Sequence, residues 1–290
     1  MKLPEIVNKA HDVGMLSVKQ ISVDELKRKE PHLSCKALGA ISVPDEMVID
    51  PWLLPITLAH LALHGGAVIN RESQVFSGEF ENGIWTLTTS NLHITAKTVI
   101  NCGGLFGDRI ESLHRKSPFT IKPRKGQFAV FSQSAESLVN SIIYPVPTER
   151  TKGVLLYPTV YGNVIIGPTA EEQKDRKTAE IDEKVIDCLL EKAFGIIPAL
   201  REHKVVGIYA GLRPATEHRD YWIEQQPRKN WITVGGIRST GLSACLGIAK
   251  HVASFFPKSK LRNQVFRVSQ GFWIYGILGY LILGTYSTVF

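Results

Sequence analysis

Hydrophobic positions recur at helical spacing in two early segments of the chain. The first segment, 22–31, begins with Ser22 and has Glu25 three residues later, which is the pattern of a capping box. The second runs from an Asp-Pro pair at 50–51, which suits a helix start, to a Gly-Gly pair at 65–66, which suits a helix end. The sequence therefore predicts two helices in this part of the chain.

Strand-like patterns follow directly. AVIN (67–70) is a short apolar run and predicts a buried strand. VFSGEF, IWTLTT and LHIT alternate between apolar and polar residues, and Asn82-Gly83 between the first two favours a tight hairpin turn. TVIN (98–101) predicts another strand, which runs into a pair of glycines. We expect a small antiparallel meander followed by a strand–turn–helix unit.

The middle of the chain, from 118 to 214, is rich in predicted strands. Five runs have strand character, and one helix at about 178–194 interrupts them; the runs are GQFAVF, SIIYPV, GVLLYP, NVIIGP and KVVGIYAGLRP. After them YWIE and WITV predict two further strands, and a helix continues through Phe256. An antiparallel region is therefore bracketed by two strand–helix units.

Composition is that of an ordinary globular protein. The 290 residues are 44% hydrophobic and 21% charged, with a net charge of +7 and a pI near 9.2. Lys and Arg are scattered, and neither a zinc-finger nor an RNP-type motif occurs. A phosphate- or carboxylate-bearing ligand suits this charge. We expect a small anionic partner and no nucleic acid.

The four cysteines are far apart and form no CxxC pair; they are Cys35, Cys102, Cys188 and Cys245. Their spacing argues against a metal site or a disulfide framework and favours a reducing compartment. The first residues have neither the apolar core of a signal peptide nor the Arg/Ser bias of a transit peptide. An intracellular location, cytoplasmic or mitochondrial, is expected.

Two predicted strands end in glycine pairs that lead towards helices, at Gly103-Gly104 and at Gly235-Gly236. A helix N-terminus presents unpaired N–H donors and about half a positive charge, which stabilise a phosphate or an electron-rich ring oxygen. Glycines after strands are often simple turns, and that interpretation stays open. Two such turns on either side of an antiparallel region are more typical of a cofactor site.

One arginine stands at the end of an otherwise apolar strand. Arg213, in AGLRPAT, needs an anionic partner because its charge cannot stay buried unpaired. The partner is either a carboxylate of the protein or the carboxylate or phosphate of a substrate, which a planar guanidinium binds with two hydrogen bonds. The sequence leaves both interpretations open.

Five blocks, in order from about residue 15 to 256, resemble FAD-dependent oxidoreductases of the D-amino-acid oxidase and glycerol-3-phosphate dehydrogenase superfamily. They are KTVINCGGLFGDRIESL, IKPRKGQFAVF, YPVPTERTKGVLLYPTVYGNVIIGPTAEE, GLRPATEHRDYWIE and ITVGGIRSTGLSACLGIAKHV. The sequence is most similar to the glycerol-3-phosphate dehydrogenase-like and L-2-hydroxyglutarate dehydrogenase-like branches. The resemblance implies FAD as cofactor and an α/β fold of two domains.

The resemblance also implies domain boundaries. A partial FAD-binding Rossmann-like domain is interleaved with an antiparallel β-rich substrate domain. The expected division is 1–117 for the first part of the FAD-binding domain, 118–214 for the substrate domain, 215–257 for the C-terminal part of the FAD-binding domain, and 258–290 for an apolar tail.

Site residues follow from the family pattern, position by position. FAD is implied to lie against Val75 at the adenosine, Gly103 and Gly104 at the diphosphate, Gly126 and Gln127 beside the flavin ring, and Gly235, Gly236, Ser239, Gly241 and Leu242 along the ribityl chain and flavin. Arg213 would face the anionic group of the substrate. Tyr144, Lys152 and Tyr157 are pocket candidates. No catalytic base is assigned, because His218, the nearest candidate to Arg213 in sequence, is more simply a surface residue.

Both ends of the chain depart from the family. The GxGxxG turn that holds the FAD diphosphate, with its βαβ unit, precedes the matched blocks in the family and has no counterpart here, so we expect a truncated form. The segment 271–290 is apolar over a length that can span a bilayer. Three interpretations of it stay open: intron read-through after Val268-Ser269, whose codons would match a splice donor, a membrane or interface anchor, and a packed terminal helix.

The reaction that the resemblance implies is hydride transfer from a small 2-hydroxy acid or polyol phosphate to the flavin. Two alternatives stay open. One is oxidation of an amine or amino acid, because an arginine serves either kind of anionic substrate. The other is a non-catalytic module that binds a partner or a membrane. The electron acceptor is not identified.

Overall fold

A computed structural model describes residues 3–146 and 153–256 with their side chains, and the backbone of three strands between residues 265 and 284. The helices of this part of the chain are α1 (Leu3–Asp12), α2 (Val23–Lys29), α3 (Leu53–His64), α4 (Gly107–Glu111), α5 (Glu183–Ile196) and α6 (Gly241–Ser254). The strands are β1 (Lys19–Ile21), β2 (Ala40–Ser42), β3 (Val75–Glu81), β4 (Ile84–Thr89), β5 (His93–Ala96), β6 (Thr98–Cys102), β7 (Lys122–Phe131), β8 (Leu155–Pro158), β9 (Val164–Gly167), β10 (Glu171–Glu172), β11 (Val205–Ala215), β12 (Trp222–Gln226), β13 (Trp231–Gly235), β14 (Val265–Val268), β15 (Phe272–Tyr275) and β16 (Tyr280–Gly284).

One sheet, here called the mixed sheet, has the strand order β12-β13-β6-β16. Strands β6 and β13 run parallel, with Trp231 opposite Val99 and Thr233 opposite Asn101. All five residues of β13 are buried, as expected for a strand between two neighbours with both faces covered. The parallel pairing brings the carboxyl ends of β6 and β13 to the same edge of the sheet.

A second sheet, the substrate sheet, is antiparallel and centres on β7. Strand β11 pairs with β7 from Val205 to Ala215, while β9 and β10 pair with β7 at other positions and β8 lies outside β9. One face packs against α5, where Phe131, Leu156 and Leu189 are almost completely buried in the largest hydrophobic cluster. Burial of such side chains contributes about 1.5–3 kcal/mol each. The opposite face of this sheet, here called the open face, points away from α5.

The predicted meander is confirmed. Strands β3, β4 and β5 form a three-stranded antiparallel sheet. Asn82 and Gly83 both have positive φ, 50° and 82°, which is the requirement of a type I′ hairpin turn. The asparagine–glycine pair thus sets the register of β3 against β4.

The helix start at Ser22 is confirmed, whereas α3 begins at Leu53, two residues after the predicted Pro51. The hydroxyl of Ser22 accepts a hydrogen bond from the backbone N–H of Glu25 at 3.2 Å. Asp50 Oδ1 accepts from the backbone N–H of Trp52 at 2.8 Å, just before α3. Side chains that accept from the first N–H groups of a helix stabilise its start.

Two strand predictions are wrong. Residues 67–70 form no strand, and Val68 and Ile69 are 79% and 52% exposed. SIIYPV forms only an isolated bridge, in which Ile143 pairs with Leu156. In both cases an apolar run is present but no neighbouring strand pairs along its length. Helix α1, which has no buried residue, was not predicted.

The tail contains strands rather than the packed helix that was one of the expectations. Strand β16 pairs in parallel with β6, and β14 pairs with β15. Within the described ranges, none of the helices is both long and apolar enough to cross a membrane. The remaining tail residues lie outside the described part, and membrane contact through 271–290 stays a prediction, as do the domain boundaries at 117, 214 and 257.

Candidate active site

The two glycine turns lie side by side at the carboxyl edge of the mixed sheet. Gly103 follows β6 and Gly235 ends β13, and these strands are parallel neighbours. A Cβ atom on Gly103 would lie 2.5 Å from Ile110 Cδ1, and one on Gly235 would lie 2.8 Å from Phe119 Cζ. Neither turn therefore has room for a side chain. Ligands of parallel α/β sheets bind at this edge.

The following residue of each turn has a backbone that favours glycine. Gly104 has φ +52° and Gly236 has φ +67°, in the left-handed region that side chains disfavour. The first turn continues into the short helix α4 and the second into α6. Both turns thus have a tight backbone, and their contact with the diphosphate and flavin stays a prediction.

Helix α6 begins beside these turns and is fourteen residues long. Its N-cap residue, Thr240, makes no side-chain cap hydrogen bond, so the protein's own side chains leave the positive helix end uncapped. Ser239 is exposed, and Leu242 and Leu246 on the helix are 36% and 60% exposed. An uncapped helix end next to apolar surface suits a dinucleotide whose phosphates need N–H donors and whose rings need apolar contact.

An arginine that was not predicted lies between the second turn and α6. The Nη2 atom of Arg238 donates to the backbone carbonyls of Thr216 (3.1 Å) and His218. Its Nε atom is buried and has no hydrogen-bond partner among the described residues. Burying a donor without a partner is costly, so an acceptor on a bound group would stabilise this atom. The glycine turns and the unpaired donor of Arg238 are compatible with the FAD that the resemblance implies.

Strand alternation places Arg213 and Tyr209 on one face of β11. Along β11, Tyr209 and Arg213 are four residues apart and share a face; Tyr209 lies opposite Phe128 of β7 and stacks on it with 4.7 Å between ring centroids. The Tyr209 hydroxyl is hydrogen-bonded to Tyr157 of β8. This is the face of the substrate sheet that points away from α5. Tyr209 was missed because only the strand pairing reveals its position.

Arg213 binds backbone carbonyls instead of a carboxylate. Its Nη2 donates to Thr169 O at 2.6 Å and to Lys125 O at 3.2 Å, and its Nε lies 3.4 Å from Arg124 O. Burial and the neighbouring charge of Arg124 lower the pKa of Arg213. Within residues 3–146 and 153–256 no salt bridge reaches this guanidinium. The internal ion pair that the sequence left open is not formed there.

Gly126 makes room for this guanidinium. A Cβ at position 126 would lie 3.1 Å from Arg213 Nη2 and 2.9 Å from Pro168 Cβ. The next residue, Gln127, is fully buried; its amide donates to Glu171 Oε1 and accepts from the backbone N–H of Asp182. The Gln127 side chain thus forms hydrogen bonds within the protein. Contact of residues 126–127 with the flavin stays a prediction.

The surroundings of Tyr144, Tyr157 and Val75 differ from one another. The Tyr144 hydroxyl donates to Glu46 Oε1 at 2.7 Å, and burial together with that bond raises the pKa of Tyr144. Burial also raises the pKa of Tyr157. Lys152 lies outside the described residues. Val75, the predicted adenosine neighbour, begins β3 and packs partly buried against the cluster around Trp85.

A buried ion pair ties the glycine-turn region to the substrate sheet. Arg176 contacts both carboxylate oxygens of Asp108 on α4, at 2.5 and 2.8 Å. Asp108 Oδ2 also accepts from the backbone N–H of Ile121, just before β7. Because the pair is bidentate and nearly buried, it fixes α4 against the start of the substrate sheet.

His218 does not stand out as a catalytic base. Its ring lies over Trp222 with 4.9 Å between centroids, its Nε2 is 3.4 Å from Pro118 O, and its side chain is 40% exposed. In the described ranges, side chains of His, Cys, Asp and Glu form no group of three or more that could hold a metal ion. The catalytic base stays unassigned.

Residues 3–255 match the family model of the FAD dependent oxidoreductases known as DAO. The match covers most of the chain, so the chain belongs to this family of FAD-dependent enzymes. The predicted superfamily, the two-domain α/β fold class and the FAD cofactor are thereby confirmed.

Particular relatives narrow the comparison. Glycerol 3-phosphate dehydrogenase of Caloramator mitchellensis is 31% identical over 80% of this chain and 48% of its own length. Mitochondrial L-2-hydroxyglutarate dehydrogenase of Bos taurus is 30% identical over 54% of this chain and 37% of its own length. The chain thus spans about half the length of the first relative and 37% of the length of the second.

Solved structures show the same fold. Glycine oxidase from Bacillus cereus superposes with a TM-score of 0.74 at 25% identity, over 87% of this chain and 70% of that one. The FAD-bound L-alpha-glycerophosphate oxidase of Mycoplasma pneumoniae superposes with a TM-score of 0.75 at 22% identity, over 97% and 75% of the two chains.

Proposed function

We propose that this chain is part of an enzyme that oxidises a small anionic 2-hydroxy acid or polyol phosphate, and that Arg213 binds the substrate's anionic group. The observation that carries the proposal is the guanidinium of Arg213, which is partly buried on the open face of the substrate sheet and hydrogen-bonded only to carbonyls among the described residues. A cation in such a place gains from an anionic ligand.

The protein's own groups have distinct tasks in this proposal. The glycine turns at 103–104 and 235–236, with the start of α6, receive the diphosphate and flavin end of FAD. Bound FAD supplies the hydride acceptor. Arg213 exchanges its contacts to backbone carbonyls for a bidentate contact to the substrate, and a charge-assisted hydrogen bond of this kind contributes roughly 1.5–3 kcal/mol.

Tyr157 and Tyr209 would complete the substrate side. Burial raises the pKa of both hydroxyls. The Tyr209 hydroxyl donates its one proton to Tyr157, which leaves the Tyr157 proton for a substrate oxygen. Tyr209 lies on the same face of β11 as Arg213, four residues away. This arrangement suits a substrate with an anion at one end and a hydroxyl at the other.

The relatives support this substrate class. Glycerol 3-phosphate and L-2-hydroxyglutarate, which appear in the names of the related dehydrogenases, each combine an anionic group with a C–H next to a hydroxyl. Glycine oxidase favours the alternative, oxidation of an amino acid, because its substrate also carries a carboxylate for Arg213. The two functions therefore differ in the group that is oxidised, an alcohol or an amine. Both need a substrate that carries an anionic group.

A substrate panel tests the proposal. The protein is first loaded with FAD. If FAD is not retained, the chain is joined to the βαβ unit of the Caloramator mitchellensis relative before loading. The loaded protein is then mixed without oxygen with glycerol 3-phosphate, L-2-hydroxyglutarate, glycine or L-proline, and with glycerol as the uncharged control. We expect loss of the oxidised flavin absorbance with one of the first two and none with glycerol. Bleaching by the amino acids alone would favour the alternative, and bleaching by none of them would favour a non-catalytic module.

A further inference from the structure

Glu111, the last residue of α4, is completely buried and contacts both strands that carry the glycine turns. Its Oε2 accepts hydrogen bonds from Thr233 Oγ1 at 2.6 Å, Trp231 Nε1 at 3.0 Å and Asn101 Nδ2 at 3.2 Å. Thr233 and Trp231 belong to β13, and Asn101 belongs to β6. One carboxylate oxygen thus connects the two parallel strands through their side chains, in addition to the backbone ladder.

The connection continues into the first glycine turn. Asn101 Oδ1 accepts from the backbone N–H of Gly103 at 3.1 Å, and Asn101 Nδ2 also donates to Gly107 O at 2.8 Å. On the other side, Thr233 stands two residues before Gly235. A path of hydrogen bonds therefore leads from the Gly103 turn through Asn101 and Glu111 to Thr233, two residues before Gly235.

The second carboxylate oxygen fixes Glu111 itself. Oε1 accepts from Arg115 Nε at 2.6 Å and from Gln226 Nε2 at 3.3 Å, and Arg115 is in turn bidentate to Glu224 of β12. Burial alone would raise the pKa of Glu111, but the His114 ring 3.5 Å from Oε1 and the hydrogen bonds from Thr233 and Arg115 lower that pKa to about 2. The side chain is an ionised acceptor surrounded by donors.

We propose that Glu111 is a positioning residue that holds the turns at Gly103-Gly104 and Gly235-Gly236 at a fixed spacing, and so sets the width of the groove that receives FAD. This role rests on the family's cofactor, but the coupling of the two turns is a property of the protein alone. A glutamine at position 111 has one acceptor oxygen in place of two and carries no charge. With its oxygen towards Thr233, its NH₂ group faces the donors of Arg115 and Gln226, and turned over it faces those of Thr233 and Trp231, so either orientation opposes buried donors and weakens the connection.

Hydrogen exchange in the 290-residue chain tests the coupling without FAD. We expect Glu111→Gln to speed amide exchange about tenfold in peptides that cover both turns, because losing buried hydrogen bonds favours local opening. Thr233→Val removes one donor, keeps the carboxylate and conserves side-chain shape, so it serves if Glu111→Gln does not fold. It should speed exchange at the Gly103 turn as well as at its own strand.

Arg201→Lys is the control, because Arg201 is exposed, pairs with Glu191 and lies on neither α4 nor a glycine turn. Its effect should be confined to peptides around 191–201. Faster exchange at both turns with either test variant, and at neither with the control, supports the proposal. Exchange that changes at one turn only, rises equally along the whole chain or does not change overturns it.

Titration with FAD, followed by flavin fluorescence in the FAD-binding form of the protein, gives the second readout. Weaker FAD binding by Glu111→Gln, at equal folded fraction and with Arg201→Lys unchanged, supports the positioning role. If Glu111→Gln speeds exchange at both turns but leaves the FAD affinity unaltered, the role of Glu111 in setting the groove for FAD is overturned. Failure of the substrate panel would leave both of these readouts unaffected, so the two proposals fail separately.

Discussion

Replacing Arg213 by lysine is expected to lower kcat/KM for an anionic substrate by about tenfold to a hundredfold while FAD stays bound. Lysine keeps the positive charge but cannot make two parallel hydrogen bonds to a carboxylate or phosphate. The substrate's C–H would then no longer be held steadily towards its acceptor. Steady-state kinetics of the FAD-loaded protein, with its visible absorbance as the measure of bound flavin, check this result.

Arg213→Ala should cost more activity than Arg213→Lys and leave the flavin absorbance intact. Arg201→Lys is the control, because Arg201 is an exposed arginine paired with Glu191 and lies on neither the open face of the substrate sheet nor a glycine turn. Its kinetics should match the parent protein. If Arg213→Ala instead unfolds the chain or releases FAD while the surviving fraction turns over normally, Arg213 is a structural residue and the substrate assignment falls.

FAD retention should depend strongly on a GxGxxG-bearing βαβ unit. We expect the 290-residue chain alone to bind FAD weakly or not at all, since that turn contributes most of the diphosphate contacts in dinucleotide-binding folds. Joining the unit to the chain should restore flavin absorbance after desalting. A yellow 290-residue protein with stoichiometric FAD would contradict the expectation.

Gly236→Ala in the joined protein probes the chain's own contribution. Gly236 has φ +67° and Gly14 has φ +87°, so alanine meets a similar backbone penalty, about 1–2 kcal/mol, at either position. Only the former lies at a glycine turn of the site. We expect Gly236→Ala to weaken FAD binding and Gly14→Ala to leave it unchanged; equal loss in both would point to stability alone.

Local sequence patterns were sufficient for much of the fold. The Asn82-Gly83 turn, the Ser22 cap and the glycine pair after β6 each depend on the conformational preferences of a few adjacent residues. Such preferences act within one or two turns of chain, so they can be read without knowing the partners. The position of Arg213 at a strand end followed from the same kind of pattern.

Features that depend on pairing between distant segments could not be predicted. Residues 67–70 have the composition of a strand but lack a partner, and tertiary pairing decides whether such a run forms one. Tyr209 joins the substrate face only because β11 pairs with β7 in a particular register. Glu111 gains its role from residues more than a hundred positions away. No local motif marks either residue.

A crystal structure of the FAD-loaded protein with a bound anionic substrate or unreactive analogue tests the central claim most directly. We expect FAD along the turns at 103–104 and 235–236, and the guanidinium of Arg213 turned from Thr169 O to the ligand's carboxylate or phosphate. A ligand anion bound elsewhere, with Arg213 still hydrogen-bonded to the backbone carbonyls, would show that Arg213 does not bind the substrate.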